Sequence, residues 1–212
     1  MYTVDITLQD FERAQQRLKG VLHHTELDLS ATFSAMTGGN IYLKYENSQK
    51  TGSFKIRGAS NKIAALVERG ETGAVVASSA GNHAQGVAYA AHRFGIPATI
   101  VMPKAAPIAK VQATEGYGAR VVLCGDCYDD AYEKAMEICR EEEATFLHPF
   151  DDYEVMAGQG TVGLEILSVL PTVDTVVVPV GGGGLLAGIF SRFGRIATAA
   201  AFLISGVVVA MN

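Results

Sequence analysis

The feature of this sequence that most constrains its fold is the alternation of short apolar runs with longer helical patterns. The apolar runs are AVVAS, ATIVMP, ARVVLC, ATFLH and DTVVVPV, and helical patterns are predicted over residues 53–69, 82–94, 108–115, 128–142 and 155–170. Apolar strands separated by helices are typical of a parallel sheet that helices cover on both faces. The pattern therefore predicts an α/β fold with an open, parallel-type sheet.

The segment ahead of this alternation predicts one more helix and one more strand. ITLQDFERAQQRLKG reads as a helix in which Thr7 is the N-cap, Asp10 stands three residues on and Gly20 is the stop. The segment NIYLKYE alternates polar and apolar residues as a half-buried strand does.

Composition restricts the class of protein. The 212 residues are 49% hydrophobic and 18% charged, which fits a globular protein with a real core. The net charge of −5 comes without a basic block, so we expect no nucleic-acid partner. The apolar stretch 196–211 is shorter than the roughly 20 residues of a membrane span, so we expect no membrane partner. Three cysteines without a framework spacing and an N-terminus unlike a secretory signal predict a cytoplasmic protein.

Three turns of small residues lie where a parallel sheet binds its ligands. They are GSFK at 52–55, SSAGNHAQG at 78–86 after AVVA, and VPVGGGGLLAG at 178–188 after DTVVV. In open α/β sheets ligands bind at the carboxyl ends of strands. Small residues let backbone N–H groups approach a ligand, and the helix that follows favours an anion.

The four-glycine turn is the clearest candidate for a phosphate site. Gly181–Gly184 can point successive N–H groups at one phosphate, whereas the alternative interpretation is a flexible turn. A dinucleotide site is a further alternative, because Gly182, Gly184 and Ala187 fit G-x-G-x-x-G/A. That pattern needs an acid about 20 residues on, and no Asp or Glu follows Asp174.

The other two turns offer a carboxylate site and a candidate nucleophile. SAGNHAQG presents bare N–H groups at a helix start, with side-chain donors from Asn82 and His83; the alternative is an Asn-capped helix with a surface histidine. Lys55 follows Phe54, an apolar neighbour that can keep its amine neutral and nucleophilic; a cation such as Arg57 would also lower its pKa, but Arg57 need not point the same way. Taken alone, Lys55 reads as a solvated surface lysine.

The three turns together favour pyridoxal phosphate. A phosphate site, a carboxylate site and a lysine that can bind an aldehyde covalently are what this cofactor and an amino-acid substrate require. The pair Cys124 and Cys127 has metal or redox spacing, but no second pair follows and we favour two small residues at a strand end. No metal site is predicted.

The motifs resemble those of a known family. KYENSQKTGSFKIRGA, SSAGNHAQG and VPVGGGGLLAG are similar to segments of the threonine/serine dehydratases (threonine ammonia-lyases), which belong to the tryptophan-synthase-β-like, fold type II class of pyridoxal-phosphate enzymes. MPKAAPIAKVQATEGYGARVV and DDYEVMAGQGTVGLEI also look like this family, and the resemblance runs from about Thr7 to Gly188.

The resemblance implies roles for matching residues. Lys55 would attach the cofactor covalently and remove the substrate Cα proton, and Phe54 would pack beside the cofactor ring. Asn82 would hydrogen-bond the ring 3-oxygen. The residues that would bind the phosphate are Gly181, Gly182, Gly183, Gly184 and Leu185. The substrate-carboxylate loop would be Ser79, Ala80, Gly81, Asn82 and His83.

The resemblance also implies an activity. L-threonine would give 2-oxobutanoate and ammonia, and L-serine would give pyruvate and ammonia. The metabolic setting would be isoleucine biosynthesis or threonine catabolism, the partner a small amino-acid substrate, and the full-length family is expected to form homo-oligomers. Related racemases carry a serine where this chain has Ala80, which favours elimination over racemisation.

The family's layout implies two open parallel-type sheet domains. The large domain would begin with residues 1–52, the small domain 53–152 would be inserted, and 153–212 would continue the large domain, with an atypical tail from about residue 189. Family members are longer, so we expect a C-terminally truncated, incomplete large domain. DTVVVPV would then lack strand neighbours, the chain would be poorly soluble, and a non-catalytic fragment is the alternative function.

Overall fold

The computed structural model describes residues 6–193, 197–201 and 207–211 of the chain. The helices in these ranges are α1 (Leu8–Leu18), α2 (Ala31–Thr37), α3 (Lys55–Glu68), α4 (Asn82–Phe94), α5 (Ile108–Gly116), α6 (Tyr128–Glu141), α7 (Tyr153–Val169) and α8 (Gly184–Phe193). The strands are β1 (Leu27–Leu29), β2 (Ile41–Tyr45), β3 (Val75–Ser78), β4 (Ala98–Met102), β5 (Arg120–Leu123), β6 (Thr145–Phe146), β7 (Thr175–Pro179), β8 (Ala197–Ala201) and β9 (Val207–Met211).

One sheet is parallel throughout and has the order β5-β4-β3-β6. Its strands are apolar at successive positions because successive side chains point to opposite faces and both faces are covered. Val75 and Ala77 pack in a cluster with residues of α3 and α4. Val76 and Val101 pack in a second cluster with residues of α6. The predicted α/β fold with a helix-covered parallel sheet is confirmed.

The other sheet is mixed and has the order β1-β2-β9-β7-β8. Strands β7 and β8 are parallel, whereas β1 with β2, β2 with β9, and β9 with β7 are antiparallel. Val176 and Val178 of β7 pack against α7 and α8 on one face. Because β7 has a neighbour on each side, the expectation that DTVVVPV lacks strand neighbours is wrong. The rest of the apolar stretch 196–211 lies outside the described residues.

The first helix begins and ends close to where the sequence places it. Thr7 donates from both its backbone N and its Oγ1 to Asp10 Oδ2, at 2.9 and 2.6 Å. The helix ends at Leu18, and the stop at Gly20 has a φ of 73°. The predicted cap is therefore confirmed. Within the described residues, no helix combines the length and the hydropathy that a membrane span needs.

Helix α7 is the shared packing partner of α3 and α8. Gly158 on α7 admits α3, since a Cβ there would lie 2.7 Å from the carbonyl oxygen of Arg57. Gly188 on α8 approaches α7 as closely, since a Cβ there would lie 2.3 Å from the carbonyl oxygen of Met156. These two close approaches pack α3 and α8 against the same helix, α7. Helix α3 begins at Lys55, and α8 begins at the four-glycine turn.

Candidate active site

Lys55 is the first residue of α3 and is half-buried. Its Nζ donates a hydrogen bond of 2.7 Å to the carbonyl oxygen of Pro149 and lies 5.4 Å from the centroid of the Phe54 ring. Burial lowers the pKa of Lys55 from 10.5 to about 8. The structure therefore places the candidate nucleophile beside its predicted aromatic neighbour, in surroundings that favour a neutral amine.

Two acids, Glu46 and Glu165, are engaged by Arg57, which lies two residues after Lys55. Arg57 is fully buried and meets Glu46 with two nitrogens, both at 2.7 Å, and Glu165 with two more contacts at 2.6 and 2.9 Å. Lys44 also pairs with Glu165, at 2.6 Å. Residues two apart on a helix face different sides, so the side chains of Arg57 and Lys55 point in different directions.

The four-glycine turn joins β7 to α8, and each glycine stands in different surroundings. Gly183 has a φ of 89°, in the left-handed region that favours glycine. A Cβ at Gly182 would lie 2.1 Å from the ring of Phe150, and one at Gly184 would lie 2.9 Å from the Phe150 Cα. A Cβ at Gly181 would meet nothing within 4 Å. The turn thus presents bare backbone at a helix start, which suits a phosphate.

Leu185 follows the turn and is buried in the core of the mixed sheet. Its apolar side chain anchors α8 between α7 and β7. Its predicted contribution to phosphate binding can therefore come only from the backbone N–H, at the helix position where such groups have no intrahelical partner.

The loop that runs from Ser79 to His83 connects β3 to α4. Gly81 is the N-cap of α4 and donates its N–H to Ser79 Oγ at 3.2 Å. Ala80 is half-buried and Asn82 is exposed, with its Oδ1 accepting from Lys110 Nζ at 3.1 Å. Asn82 is thus the first residue of the helix, one position inside the cap.

His83 is buried, so the alternative of a surface histidine is wrong. Its Nε2 lies 3.0 Å from the carbonyl oxygen of Leu147, and because a carbonyl only accepts, that nitrogen carries the proton. Burial, aided by the positive charge of Lys55, lowers the pKa of His83 to about 3. His83 is therefore a neutral ring, with Nδ1 as its free acceptor.

Two buried polar atoms of this region have no hydrogen-bond partner among the described residues. They are Nδ1 of His83 and Oγ of Ser78, the last residue of β3. Buried polar groups are nearly always satisfied, so this enclosed pair has a hydrogen-bonding capacity that the described residues leave unused. This donor and acceptor, the bare glycine turn and the half-buried lysine together fit an aldehyde cofactor that carries a phosphate.

The segment from Leu147 to Phe150 touches all three motifs, and sequence reasoning missed it. The carbonyl of Leu147 accepts from His83, the carbonyl of Pro149 accepts from Lys55, and the Phe150 ring abuts the glycine turn. The segment directly follows β6 in the parallel sheet. The rule that ligands sit at the carboxyl ends of strands applies to HPF as it does to SSAGNH, and it could have found this segment.

The pair Cys124 and Cys127 belongs to a helix start. Cys127 is the N-cap of α6, and Asp130 Oδ2 accepts from the N–H groups of Asp126 at 2.7 Å and of Cys127 at 3.2 Å. Both thiols are free. In the part of the chain that the structure describes, no group of three or more His, Cys, Asp or Glu side chains is placed to hold a metal ion.

The fold and this arrangement of motifs are those of a fold type II pyridoxal-phosphate enzyme. The family model described as "Pyridoxal-phosphate dependent enzyme" matches residues 19–210, and the chain belongs to that family. The match continues past Gly188, so the expectation that the resemblance ends there is wrong. This family assignment also favours the phosphate interpretation of the glycine turn over the dinucleotide pattern.

Individual proteins resemble this chain in sequence and in structure. The L-threonine ammonia-lyase of Thermotoga maritima is 60% identical over 87% of this chain and 46% of its own length. The catabolic L-threonine dehydratase TdcB of Staphylococcus aureus is 52% identical over 87% of this chain and 54% of its own length. A pyridoxal 5'-phosphate-dependent aspartate racemase of known structure has a TM-score of 0.89 and 35% identity, over 94% of this chain and 64% of the racemase. The chain spans about half the length of the curated relatives that it matches.

Proposed function

We propose that this chain acts in the pyridoxal-phosphate-dependent dehydration and deamination of L-threonine to 2-oxobutanoate and ammonia, and of L-serine to pyruvate and ammonia. The observation that carries the proposal is that Lys55 and the four-glycine turn both contact one dipeptide, Pro149–Phe150. An amine of lowered pKa and the candidate phosphate turn thereby both contact one short stretch of chain. The 60% identity to an L-threonine ammonia-lyase supports threonine as the substrate.

The residues that would hold the cofactor are those around this dipeptide. The phosphate would accept from backbone N–H groups of Gly181, Gly182, Gly183, Gly184 and Leu185. Phe54 would pack beside the ring, and Lys55 would bind the aldehyde carbon. Asn82 has its Oδ1 on Lys110 and would donate its amide N–H to the ring 3-oxygen. When bound, pyridoxal phosphate supplies an electron sink for the charge that proton removal leaves on the substrate.

Lys55 is the group that would move the Cα proton. At pH 7.5 an amine of pKa about 8 is neutral in about a quarter of molecules, against about one in a thousand at the ordinary 10.5. The lowered pKa thus raises the population of competent base by about two orders of magnitude. After it accepts the proton, the ammonium has the Pro149 carbonyl within its reach as a hydrogen-bond acceptor.

The loop of Ser79, Ala80, Gly81, Asn82 and His83 would bind the substrate carboxylate. Its N–H groups lie at the start of α4, where the helix dipole favours an anion. Because His83 is neutral, the backbone N–H groups would stabilise the negative charge of the carboxylate. Holding the carboxylate here would orient the substrate Cα toward Lys55.

Racemisation is the second candidate, because an aspartate racemase shares 35% identity with this chain. A racemase needs a second proton-transfer group on the substrate face opposite the lysine. Ala80, in the carboxylate loop, has no such group. We therefore propose elimination as the reaction and racemisation as at most a minor one.

The direct experiment is to add pyridoxal phosphate to the purified chain, record a visible absorption band, reduce with borohydride and map the labelled peptide. We expect the label on Lys55. Formation of 2-oxobutanoate from threonine then tests turnover. A label on another lysine would contradict the site, whereas a label on Lys55 without keto-acid formation would contradict only the activity and would support a non-catalytic cofactor-binding chain.

For the cellular setting, we propose an enzyme of amino-acid metabolism in the cytoplasm, in threonine catabolism or in isoleucine biosynthesis. The catabolic name of the Staphylococcus aureus relative supports the former. We further propose that residues 53–152 form a small domain inserted into a larger one and that the protein assembles as a homo-oligomer.

A further inference from the structure

One histidine, His148, bonds to the backbone of the chain between β6 and α7. Nδ1 of His148 accepts from the backbone N–H of Asp151 at 2.7 Å and from that of Phe150 at 3.3 Å. The His148 ring also makes edge contacts with Phe146 and Phe150, with centroids 6.1 and 4.7 Å apart. The side chain therefore closes a tight turn upon its own following residues, as Asn and Asp side chains do in Asx turns.

This turn supplies two of the contacts on which the candidate site depends. Pro149, inside the turn, presents its carbonyl oxygen to Lys55 Nζ at 2.7 Å. Phe150 presents its ring and backbone to Gly182 and Gly184. A change in the turn therefore alters the surroundings of the lysine and of the glycine turn together.

We propose that His148 is a positioning residue whose neutral ring holds this turn and thereby sets both the burial of Lys55 and the shape of the four-glycine turn. This inference rests on the proposed cofactor site. In this role His148 acts through Pro149 and Phe150, the residues that contact the lysine amine and the glycines.

The role requires the neutral ring, because only an unprotonated Nδ1 can accept two N–H groups. The charged and titratable groups that face it are Asp151 and Asp152 on its own segment, Lys55 of α3 and His83 of α4. Burial lowers the pKa of His148 below 6.5, and the charge of Lys55 acts in the same direction against the two carboxylates. The two hydrogen bonds are thus present above that lowered pKa and are lost as the pH falls through it.

Two substitutions separate the acceptor from the ring. His148→Asn keeps an acceptor with Asx-turn reach and removes the titration, whereas His148→Phe keeps an aromatic ring and removes the acceptor. The first measurement uses the chain without cofactor: the pH at which Lys55 is half-labelled by an amine reagent, followed by peptide mass spectrometry. We expect about 8 for wild type and His148→Asn, and a rise toward 10.5 for His148→Phe.

The second measurement is the pyridoxal phosphate affinity between pH 8 and pH 5. We expect His148→Phe to weaken binding about tenfold at pH 8, the size expected for a lost hydrogen-bond acceptor. We expect wild type to lose affinity in acid and His148→Asn to lose less. His24→Asn and His24→Phe, at an exposed histidine, are the matched controls.

The two measurements test different claims, so each claim can be contradicted without the other. If no variant binds pyridoxal phosphate, the proposed function is wrong while the labelling still tests the turn. Wild-type labelling and affinity in His148→Phe would overturn the positioning role. If His148→Phe does not fold, His148→Asn decides, because an acid loss of affinity equal to that of wild type would overturn the role of the ring.

Discussion

The substitution Arg57→Met tests how the site is held. Arg57 is fully buried and bridges three elements: its own helix α3, the 3-10 turn Glu46–Ser48, and α7 through Glu165. Burial opposes its charge, but Glu46 and Glu165 raise the pKa of Arg57 above its usual value. Methionine fills a similar volume and removes every one of these contacts.

Most of the expected loss in the free energy of unfolding comes from Glu46, which is left without its charged partner. That side chain is fully buried, and its other contact in the network is Thr25 Oγ1 at 2.6 Å. Glu165 is more exposed, at 21%, and keeps Lys44 at 2.6 Å. Removing one partner of a buried ion pair typically costs about 3–5 kcal/mol. Out of a total stability of about 5–15 kcal/mol, this is a large fraction.

The assay is urea unfolding followed by circular dichroism. The matched control is Arg120→Met, which removes a pair with Glu142 in which both side chains are exposed, at 55% and 38%, together with one hydrogen bond of 3.0 Å to Thr99 Oγ1. Exposed pairs contribute about 0–1 kcal/mol. The double variant Arg57→Met with Glu46→Gln removes the uncompensated charge while keeping an acceptor for Thr25, and we expect it to recover at least half of the loss.

Two results would refute this reasoning. A free energy of unfolding for Arg57→Met equal to that of the Arg120→Met control would mean that the network contributes nothing measurable. A double variant as unstable as Arg57→Met alone would mean that the loss comes from packing rather than from the stranded Glu46 carboxylate.

Further predictions concern the candidate site. Lys55→Met should abolish both borohydride-stable labelling and keto-acid formation; persistent labelling, read by peptide mapping, would contradict the assignment. Gly184→Ala should weaken the affinity for pyridoxal phosphate about tenfold or more but that for pyridoxal little, because its methyl meets the Phe150 backbone at 2.9 Å, whereas Gly73→Ala, outside the site, meets open space and should change neither affinity. In incubations with L-serine, chiral analysis should show pyruvate without comparable D-serine, because Ala80 cannot return a proton; rates of D-serine formation that match pyruvate would argue against this.

The elements that the sequence predicts best are those with a local physical signal. The helix from Asn82 to Phe94 matches its prediction at both ends, since a small-residue turn precedes it and Gly95 follows with a φ of 68°. The strands β3 and β4 are mostly apolar and are buried at every position, because both of their faces are covered. The mixed order of the other sheet had no such signal, because β9 joins β2 and β7 from the far end of the chain.

The candidate site divides in the same way. Lys55, the glycine turn and the Ser79–His83 loop carry short sequence signatures, and the structure places each at a helix start or in the loop before one. The contacts among these motifs lie in the segment from Leu147 to Phe150, where one histidine and ordinary backbone carbonyls do the joining. Such contacts depend on long-range packing, so residue type alone does not predict them.

Arg57 and Lys55 are two cations near the start of α3 whose pKa values shift in opposite directions. The buried network contains two cations, Lys44 and Arg57, and two carboxylates, Glu46 and Glu165, so it is neutral as a whole. The polar partner of Lys55 is a carbonyl oxygen rather than an acid, so burial lowers its pKa without an opposing charge. Two cations near the start of α3 thus stand in opposite situations: two carboxylates hold Arg57 in its charged form, whereas burial shifts Lys55 toward the neutral amine that the proposed reaction needs.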